Sequence, residues 1–160
     1  MATTTDESVC CPPFDPAPWD DKVIEWTDKL FVKQKVVSFW YIPLNFGKVM
    51  TMLMKATEKH HATVPDWLCL SDHTSKWNMD LYLAVDRELP GFRHVKLSGK
   101  YYTRVYEGDF SQTGAWGKEY EQQAKERSLK TGKLYMWYTT CPACAKKYGK
   151  NYVVFFGEIL

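Results

Sequence analysis

The order of hydrophobic and polar residues predicts two helices separated by short strands. Apolar residues recur at helical spacing from Phe46 to Ala62 and again from Thr113 to Ser128. Asn45, directly before the first of these segments, is a residue type that caps helix N-termini. Alternating segments rich in β-branched and aromatic residues predict strands; they lie at 35–45, 67–71, 79–86, 97–107, 133–140 and 151–159.

These elements follow one another as strand–helix–strand–strand, twice along the chain. The first series covers about residues 35–86 and the second about 97–160. Each series predicts an antiparallel sheet with a helix on one face, which is an α+β arrangement. We expect the two units in a pseudo-twofold arrangement with a central cleft, within a single domain over residues 31–160.

Residues 1–30 are predicted to form a proline-rich N-terminal arm. Four prolines lie between Pro12 and Pro18, and proline at this density excludes a helix or a central strand. Phe14, Trp19 and Trp26 are expected to anchor this arm on the domain.

Charge and cysteine content favour a cytoplasmic protein with a small partner. The 160 residues carry 21 basic and 19 acidic side chains, a net charge of +2, which predicts neither a nucleic-acid nor a membrane partner. The opening residues MATTTDESVC are polar and do not form a secretory signal. Five cysteines, an odd number, are typical of reduced thiols in the cytoplasm.

Aromatic residues are unusually frequent, at 16% of the chain. Large rings fill a hydrophobic core or line a ligand cavity. A small domain buries only a limited number of them, so some are expected to face a cleft.

The second half of the chain resembles a known family. The strand YYTRVYEGDF, the helix TGAWGKEYEQQAKERS, Thr131-Gly132 and the two closing strands are similar to the second half of GyrI-like (DNA-gyrase-inhibitor-like) effector-binding domains. The first unit fits the first half of that fold, so the resemblance covers about residues 31–160. The blocks CCPPFDPAPWD, IPLNFGKVM, LSDHTSKWNMDLYLAVD and YTTCPACAKKYGKNYVV resemble small bacterial proteins labelled GyrI-like or hydrolase.

The resemblance implies a cleft between the two units that takes small aromatic or cationic molecules. Some members of the family are sensing domains of transcription regulators, and some stand-alone members hydrolyse cyclopropane-containing toxins. Those hydrolases have a Glu on the strand after the second helix, where this chain has Met136. The resemblance therefore implies ligand binding but does not carry over that catalytic residue.

The candidate ligand-binding residues lie on the aromatic strands. Glu158 stands in the apolar strand VVFFGEI, where a charge is costly unless it is paired or faces a ligand. It could attract a cation beside aromatic rings or act as a general base, and it is the candidate catalytic residue; a solvated edge-strand Glu is the alternative. The full candidate set is Tyr41, Tyr102, Arg104, Tyr106, Tyr135, Trp137 and Glu158.

The Cys141-Pro-Ala-Cys144 turn supports a second interpretation. Its spacing is typical of a dithiol redox site or of half a zinc site. Only sixteen residues follow Cys144, too few for the domain that a thioredoxin-like enzyme builds after its thiols. A zinc-stabilised or thiol-responsive protein remains the alternative to ligand binding, with Cys10 and Cys11, or one of them and a histidine, completing the site. The candidate zinc-ligating histidines are His60, His61 and His73.

Overall fold

The computed structural model describes residues 14–40, 42–139 and 149–160. Over these residues it contains two α-helices and seven strands, which confirms the predicted α+β class. The helices are α1 (Phe46–Lys59) and α2 (Thr113–Glu126). The strands are β1 (Lys22–Phe39), β2 (Ile42–Pro43), β3 (Cys69–Asp72), β4 (Asn78–Ala84), β5 (Arg93–Glu107), β6 (Thr131–Tyr138) and β7 (Tyr152–Ile159).

The chain divides into two compact units. The central unit is Glu25–Gly99, and the terminal unit combines the residues before Glu25 with Lys100–Leu160. Two short 3-10 helices, Pro65–Trp67 and Phe110–Gln112, add to the longer elements. None of the helices in the described part of the chain is long and apolar enough to cross a membrane.

The central unit is an antiparallel sheet with α1 on one face. Strand β1 pairs with β2 and β4, and β4 pairs with β3. Its core forms where apolar side chains of α1 meet alternate residues of β1 and β4. The fully buried members of that core are Val32, Val36, Leu53, Met79, Leu81, Leu83 and Leu89.

The terminal unit is a three-stranded antiparallel sheet covered by α2. Strand β7 lies between β6 and β5 and pairs with both. Trp116, Tyr120 and Ala124 recur along one side of α2 and are buried against the sheet. The strand–helix–strand–strand order therefore recurs, with β2 added in the central unit, while the pseudo-twofold arrangement stays a prediction.

Strand β1 is longer than the sequence predicts. It begins at Lys22 rather than Lys35, so residues 22–30, assigned to the arm, form its first half. Its regular alternation is interrupted at Asp28, whose φ is +50° and whose N–H donates to Ser98 Oγ at 2.8 Å. This irregularity and the charged residues between Lys22 and Lys29 obscure the alternation of apolar and polar residues that predicts a strand.

Asn45 has the predicted position but a different bond. It occupies the N-cap position of α1, yet its side chain makes no capping hydrogen bond. Its Oδ1 instead accepts the N–H of Val37 at 2.9 Å. The residue therefore ties the start of α1 to β1.

Candidate functional site

The sheet of the terminal unit has two faces, and the candidate ligand residues are divided between them. Side chains alternate along each strand, and Tyr102 is opposite Gly157 while Tyr135 is opposite Phe156. The helix face, which packs on α2, carries Tyr102, Arg104 and Tyr106. The opposite face, called here the aromatic face, carries Tyr101, Tyr135, Trp137, Phe156 and Glu158.

On the helix face, the two candidate tyrosines belong to the core. Tyr102 and Tyr106 are 1% and 8% exposed. Tyr106 stacks on Trp116 with ring centroids 5.6 Å apart, and Tyr102 lies 5.3 Å from Tyr120. Tyr120 donates its hydroxyl hydrogen to the Tyr102 carbonyl at 2.7 Å. These rings fasten α2 to β5.

Arg104 joins the same helix to the sheet through charge. Its Nε donates to Glu119 Oε1 at 2.8 Å, and Tyr106 donates its hydroxyl hydrogen to the same oxygen at 2.9 Å. Nη1 of Arg104 lies 3.6 Å from Asp21 Oδ1. The guanidinium therefore has carboxylate partners on α2 and on the segment that precedes β1.

Asp21 links that segment to the rest of the terminal unit. Tyr102 donates to its Oδ1 at 2.8 Å and Arg127 donates to its Oδ2 at 2.6 Å. The Tyr102 hydrogen bond is the main cause that lowers the pKa of Asp21, followed by Arg127, although burial opposes the shift. Burial and the Asp21 hydrogen bond together raise the pKa of Tyr102. The polar groups of the helix face thus bond mainly to one another.

The aromatic face carries two pairs of rings that are as buried as the tyrosines of the helix face, since Tyr101, Tyr135, Trp137 and Phe156 are each at most 4% exposed. Trp137 lies 6.2 Å from Phe156, and Tyr101 lies 6.4 Å from Tyr135. Trp19 and Phe14 add edge-on contacts to Trp137 at 5.0 and 5.2 Å. The sequence predicts that these two residues anchor the arm, and both pack on Trp137.

Glu158 lies at one end of the aromatic face. It is opposite Tyr101 in the ladder and is partly buried. Burial, followed by the charge of Glu158, raises the pKa of Tyr101. The Lys133 ammonium lies 5.1 Å from the centre of the Tyr135 ring. This end of the face therefore already combines a carboxylate, two phenol rings and a cation.

A second polar cluster lies on the face of the central sheet that is turned away from α1. Asp72 and Asp80 are directly opposite in the β3–β4 ladder, and Asp72 is only 8% exposed. Lys33 Nζ lies 3.8 Å from Asp80 Oδ2 and 5.5 Å from the centre of the Tyr82 ring. Burial lowers the pKa of His73, while the charge of Asp72 opposes that shift.

Sequence reasoning missed this cluster as a unit. Asp80 could be recognised as a charge within the apolar strand MDLYLAV, and His73 as a possible ligand. Their proximity to Asp72 depends on the antiparallel register, which one sequence does not reveal. A cross-strand pair of carboxylates is unfavourable by itself, so the cluster is a candidate site.

Five predicted site residues lie outside the described residues: Tyr41, Cys10, Cys11, Cys141 and Cys144. Among the described residues, no group of three or more His, Cys, Asp or Glu side chains could hold a metal ion. The zinc and thiol alternative therefore has no support from the described part of the chain. His60 and His61 directly follow α1.

One comparison with known proteins identifies a family. A family model described as bacterial hydrolase matches residues 1–159. A comparison with curated proteins gives no match. The GyrI-like family is not named by these comparisons, so that resemblance stays a prediction.

Two solved structures are similar to this chain at low identity. One is described as SAV2435 bound to tetraphenylphosphonium; the two are 12% identical, the match covers 87% of this chain and 93% of the other, and the TM-score is 0.44. The other is described as a putative bacterial transcription regulation protein from Staphylococcus aureus MU50, with 11% identity, coverage of 86% and 96%, and a TM-score of 0.44.

Proposed function

The chain belongs to the bacterial hydrolase family, and we propose that it binds a small aromatic cation on the aromatic face of the terminal unit. The observation that carries this proposal is that Glu158 shares a sheet face with the rings of Tyr101, Tyr135 and Trp137. These rings are buried, so a ligand would reach them by displacing a side chain that covers them. Aromatic rings attract a cation through their π-electrons, and a carboxylate beside them adds a direct charge attraction.

Lys133 supports the cationic part of the proposal. Its ammonium lies 5.1 Å from the centre of the Tyr135 ring, so this part of the face accommodates positive charge. A ligand cation would use the same ring and the nearby Glu158 carboxylate.

The segment before β1 supports the aromatic part. Phe14 and Trp19 are only partly buried, and each places its ring against Trp137. Edge-to-face contacts of this kind stabilise a pair by about 0.5–1.5 kcal/mol beyond the buried area. A ligand ring that replaced Phe14 would recover the same contact with Trp137.

Isosteric ions of opposite charge test the proposal. Tetraphenylphosphonium combines four phenyl rings with a positive charge, and tetraphenylborate has the same shape with a negative charge. Isothermal titration calorimetry should detect binding of the cation and weaker binding of the anion. Glu158→Gln should weaken cation binding by about 1 kcal/mol, which is roughly fivefold, without weakening anion binding.

Glu121→Gln is the matched control, because Glu121 is an exposed carboxylate on α2, which covers the opposite face of the sheet. It should leave both affinities unchanged. Absence of cation binding to the unmodified protein, or equal losses in the two variants, would contradict the proposal.

A second candidate function is hydrolysis at the polar cluster of the central unit, and the opposed pair Asp72 and Asp80 favours it. One carboxylate would take a proton from water as the water oxygen bonds to an electrophilic carbon. The other, protonated, would give its proton to the leaving atom. Lys33 lies next to Asp80, and on this geometry we assign Asp80 as the base and Asp72 as the acid.

Variants of the two carboxylates test this second function on a panel of aryl esters and aryl epoxides. Asp72→Asn and Asp80→Asn should each lower kcat by about 100-fold or more, which is typical of losing a general acid or base. Asp86→Asn, which changes an exposed carboxylate of the same unit, should not. Turnover that survives in the Asp72→Asn/Asp80→Asn double variant, or no turnover of any compound, would argue against hydrolysis here.

A further inference from the structure

The turn between β1 and β2 carries an exposed aromatic surface that neither proposed function uses. Phe39, Trp40 and Trp77 are 57%, 58% and 50% exposed. Their rings contact one another, with Trp77 5.6 Å from Phe39 and 6.3 Å from Trp40. Val37 and Leu44 beside them are also exposed. These five residues are called here the hairpin surface.

Such a cluster is not ordinary surface composition. Single exposed apolar side chains are common, whereas contiguous apolar patches mark interaction sites. Trp77 and the two rings that contact it leave a substantial apolar area in water, which favours a partner that buries it.

Backbone hydrogen bonds hold the hairpin surface in place. The N–H of Ser38 donates to the Trp77 carbonyl at 2.8 Å, and that of Leu44 donates to the Val37 carbonyl at 2.9 Å. Trp40 has a φ of +49°, a backbone conformation that residues other than glycine rarely adopt. Hydrogen bonds therefore hold the backbone on which Phe39 and Trp77 lie.

Two lysines flank this surface, and Asp80 lies opposite one of them, Lys35, in the β1–β4 ladder. The Lys76 ammonium lies 3.9 Å from the centre of the Trp40 ring. Lys35 is exposed and shares a strand face with Val37 and Phe39. Between residues 29 and 57 the sequence has five lysines and no aspartate or glutamate. A partner of complementary charge is anionic.

We propose that the hairpin surface docks on an anionic lipid surface, with its rings at the headgroup level and Lys35 and Lys76 near the lipid phosphates. Tryptophan is enriched at membrane–water interfaces because its ring is amphipathic, and lysines add attraction to anionic lipids. Protein–protein interfaces are instead depleted in lysine, so the lysines favour lipid over a protein partner.

Vesicle sedimentation tests the proposal with the full chain. The protein should pellet with vesicles of phosphatidylcholine and phosphatidylglycerol, should not pellet with phosphatidylcholine alone, and should be released by salt. Trp40→Ser and Phe39→Ser should each weaken binding about tenfold. Lys35→Gln and Lys76→Gln should each weaken it about fivefold.

Trp67→Ser is the matched control for Trp40→Ser. Trp67 belongs to the same unit, is 50% exposed and has a φ of +54°, but it lies outside the hairpin surface. Lys118→Gln, on the exposed side of α2, is the control for the lysine variants. Neither control should alter vesicle binding, and thermal melts of all variants should confirm that they fold.

Three results would overturn the proposal. The first is that the unmodified protein fails to pellet with anionic vesicles. The second is that Trp67→Ser weakens binding as much as Trp40→Ser and Phe39→Ser. The third is a dimer in analytical ultracentrifugation that Trp40→Ser dissociates, without lipid binding, because the hairpin surface would then be occupied by a second copy of the chain.

Discussion

Replacing Gly157 by alanine tests which way each side chain of β7 points. A Cβ at this position would lie 2.9 Å from Tyr120 Cζ and closer still to the Tyr120 hydroxyl oxygen. Tyr120 is 2% exposed and its hydroxyl donates to the Tyr102 carbonyl. The ring therefore has to move, and the hydrogen bond has to break or lengthen.

The expected loss follows from these two contacts. Overpacking a filled core costs about 1–3 kcal/mol, and losing the hydrogen bond adds about 0.5–1.5 kcal/mol. Gly157→Ala should therefore lower the free energy of unfolding by about 2–4 kcal/mol, which for a chain of this length is a fall in Tm of roughly 5–15 °C. Chemical and thermal denaturation followed by circular dichroism measure both quantities.

A second substitution separates this clash from other causes. Tyr120→Phe removes the oxygen that the new Cβ would meet, and by itself should cost about 1 kcal/mol. The Gly157→Ala/Tyr120→Phe double variant should be more stable than the sum of the single losses predicts, by about 1 kcal/mol or more. Gly114→Ala is the control, because that glycine is exposed on α2 and a Cβ there meets nothing within 4 Å.

Gly157→Ala with unchanged stability, or additive effects of the two substitutions, would refute the reasoning. Gly157 would then not face α2, and its neighbour Glu158 would not lie on the aromatic face. The result therefore bears directly on the proposed binding site.

Two further predictions concern titrating groups. Asp21→Asn should lower Tm at neutral pH and make Tm depend less on pH in acid. The pKa of Asp21 is lower in the folded than in the unfolded protein. Its carboxylate therefore stabilises the fold at pH values above the unfolded pKa, and this stabilisation is lost as pH falls below about 4. Thermal melts across this range should show no such change for Asp15→Asn, whose carboxylate accepts the N–H of nearby Ala17. Cys69 is partly exposed, but its surroundings keep water from the sulfur and raise its pKa to about 12. This thiol should therefore react slowly with iodoacetamide at neutral pH in the native protein and faster in denaturant, as peptide mass spectrometry can establish; equally rapid labelling in both states would contradict this argument.

Local pattern predicts the elements of this fold well where one periodicity dominates. The spacing of Val49, Leu53 and Thr57 predicts α1, and all three are buried. The spacing of Trp116, Tyr120 and Ala124 predicts α2 in the same way, and these residues are also buried. Strand β1 was only partly recognised, because charged residues and a left-handed residue, Asp28, interrupt its first half.

Alternation predicts which residues share a face of one strand, but it does not predict which residues of the adjacent strands lie beside them. Alternation separates Tyr135 and Trp137 from Met136, and the ladder bears this out. Only the pairing of β5 with β7 shows that Tyr102 shares a face with Phe155 rather than with Trp137. The opposed carboxylates Asp72 and Asp80 depend on register in the same way.

Whole-chain charge also conceals a local feature. The net charge of +2 predicted no membrane partner, although the five lysines between residues 29 and 57 have no acidic neighbours in that stretch. Acidic residues elsewhere balance them in the sum. The distribution of charge along the chain is therefore more informative here than its total.

The terminal unit combines an early and a late segment of the chain, and this sets the order of folding during synthesis. The central unit is continuous in sequence, whereas Phe14, Trp19 and Asp21 need partners on β5, β6 and β7 and at Arg127. At about 5–20 residues per second, synthesis of the intervening chain takes on the order of 10 s. Throughout that interval the rings of Phe14 and Trp19 lack their native partners on the nascent chain, where a ribosome-associated chaperone could bind them.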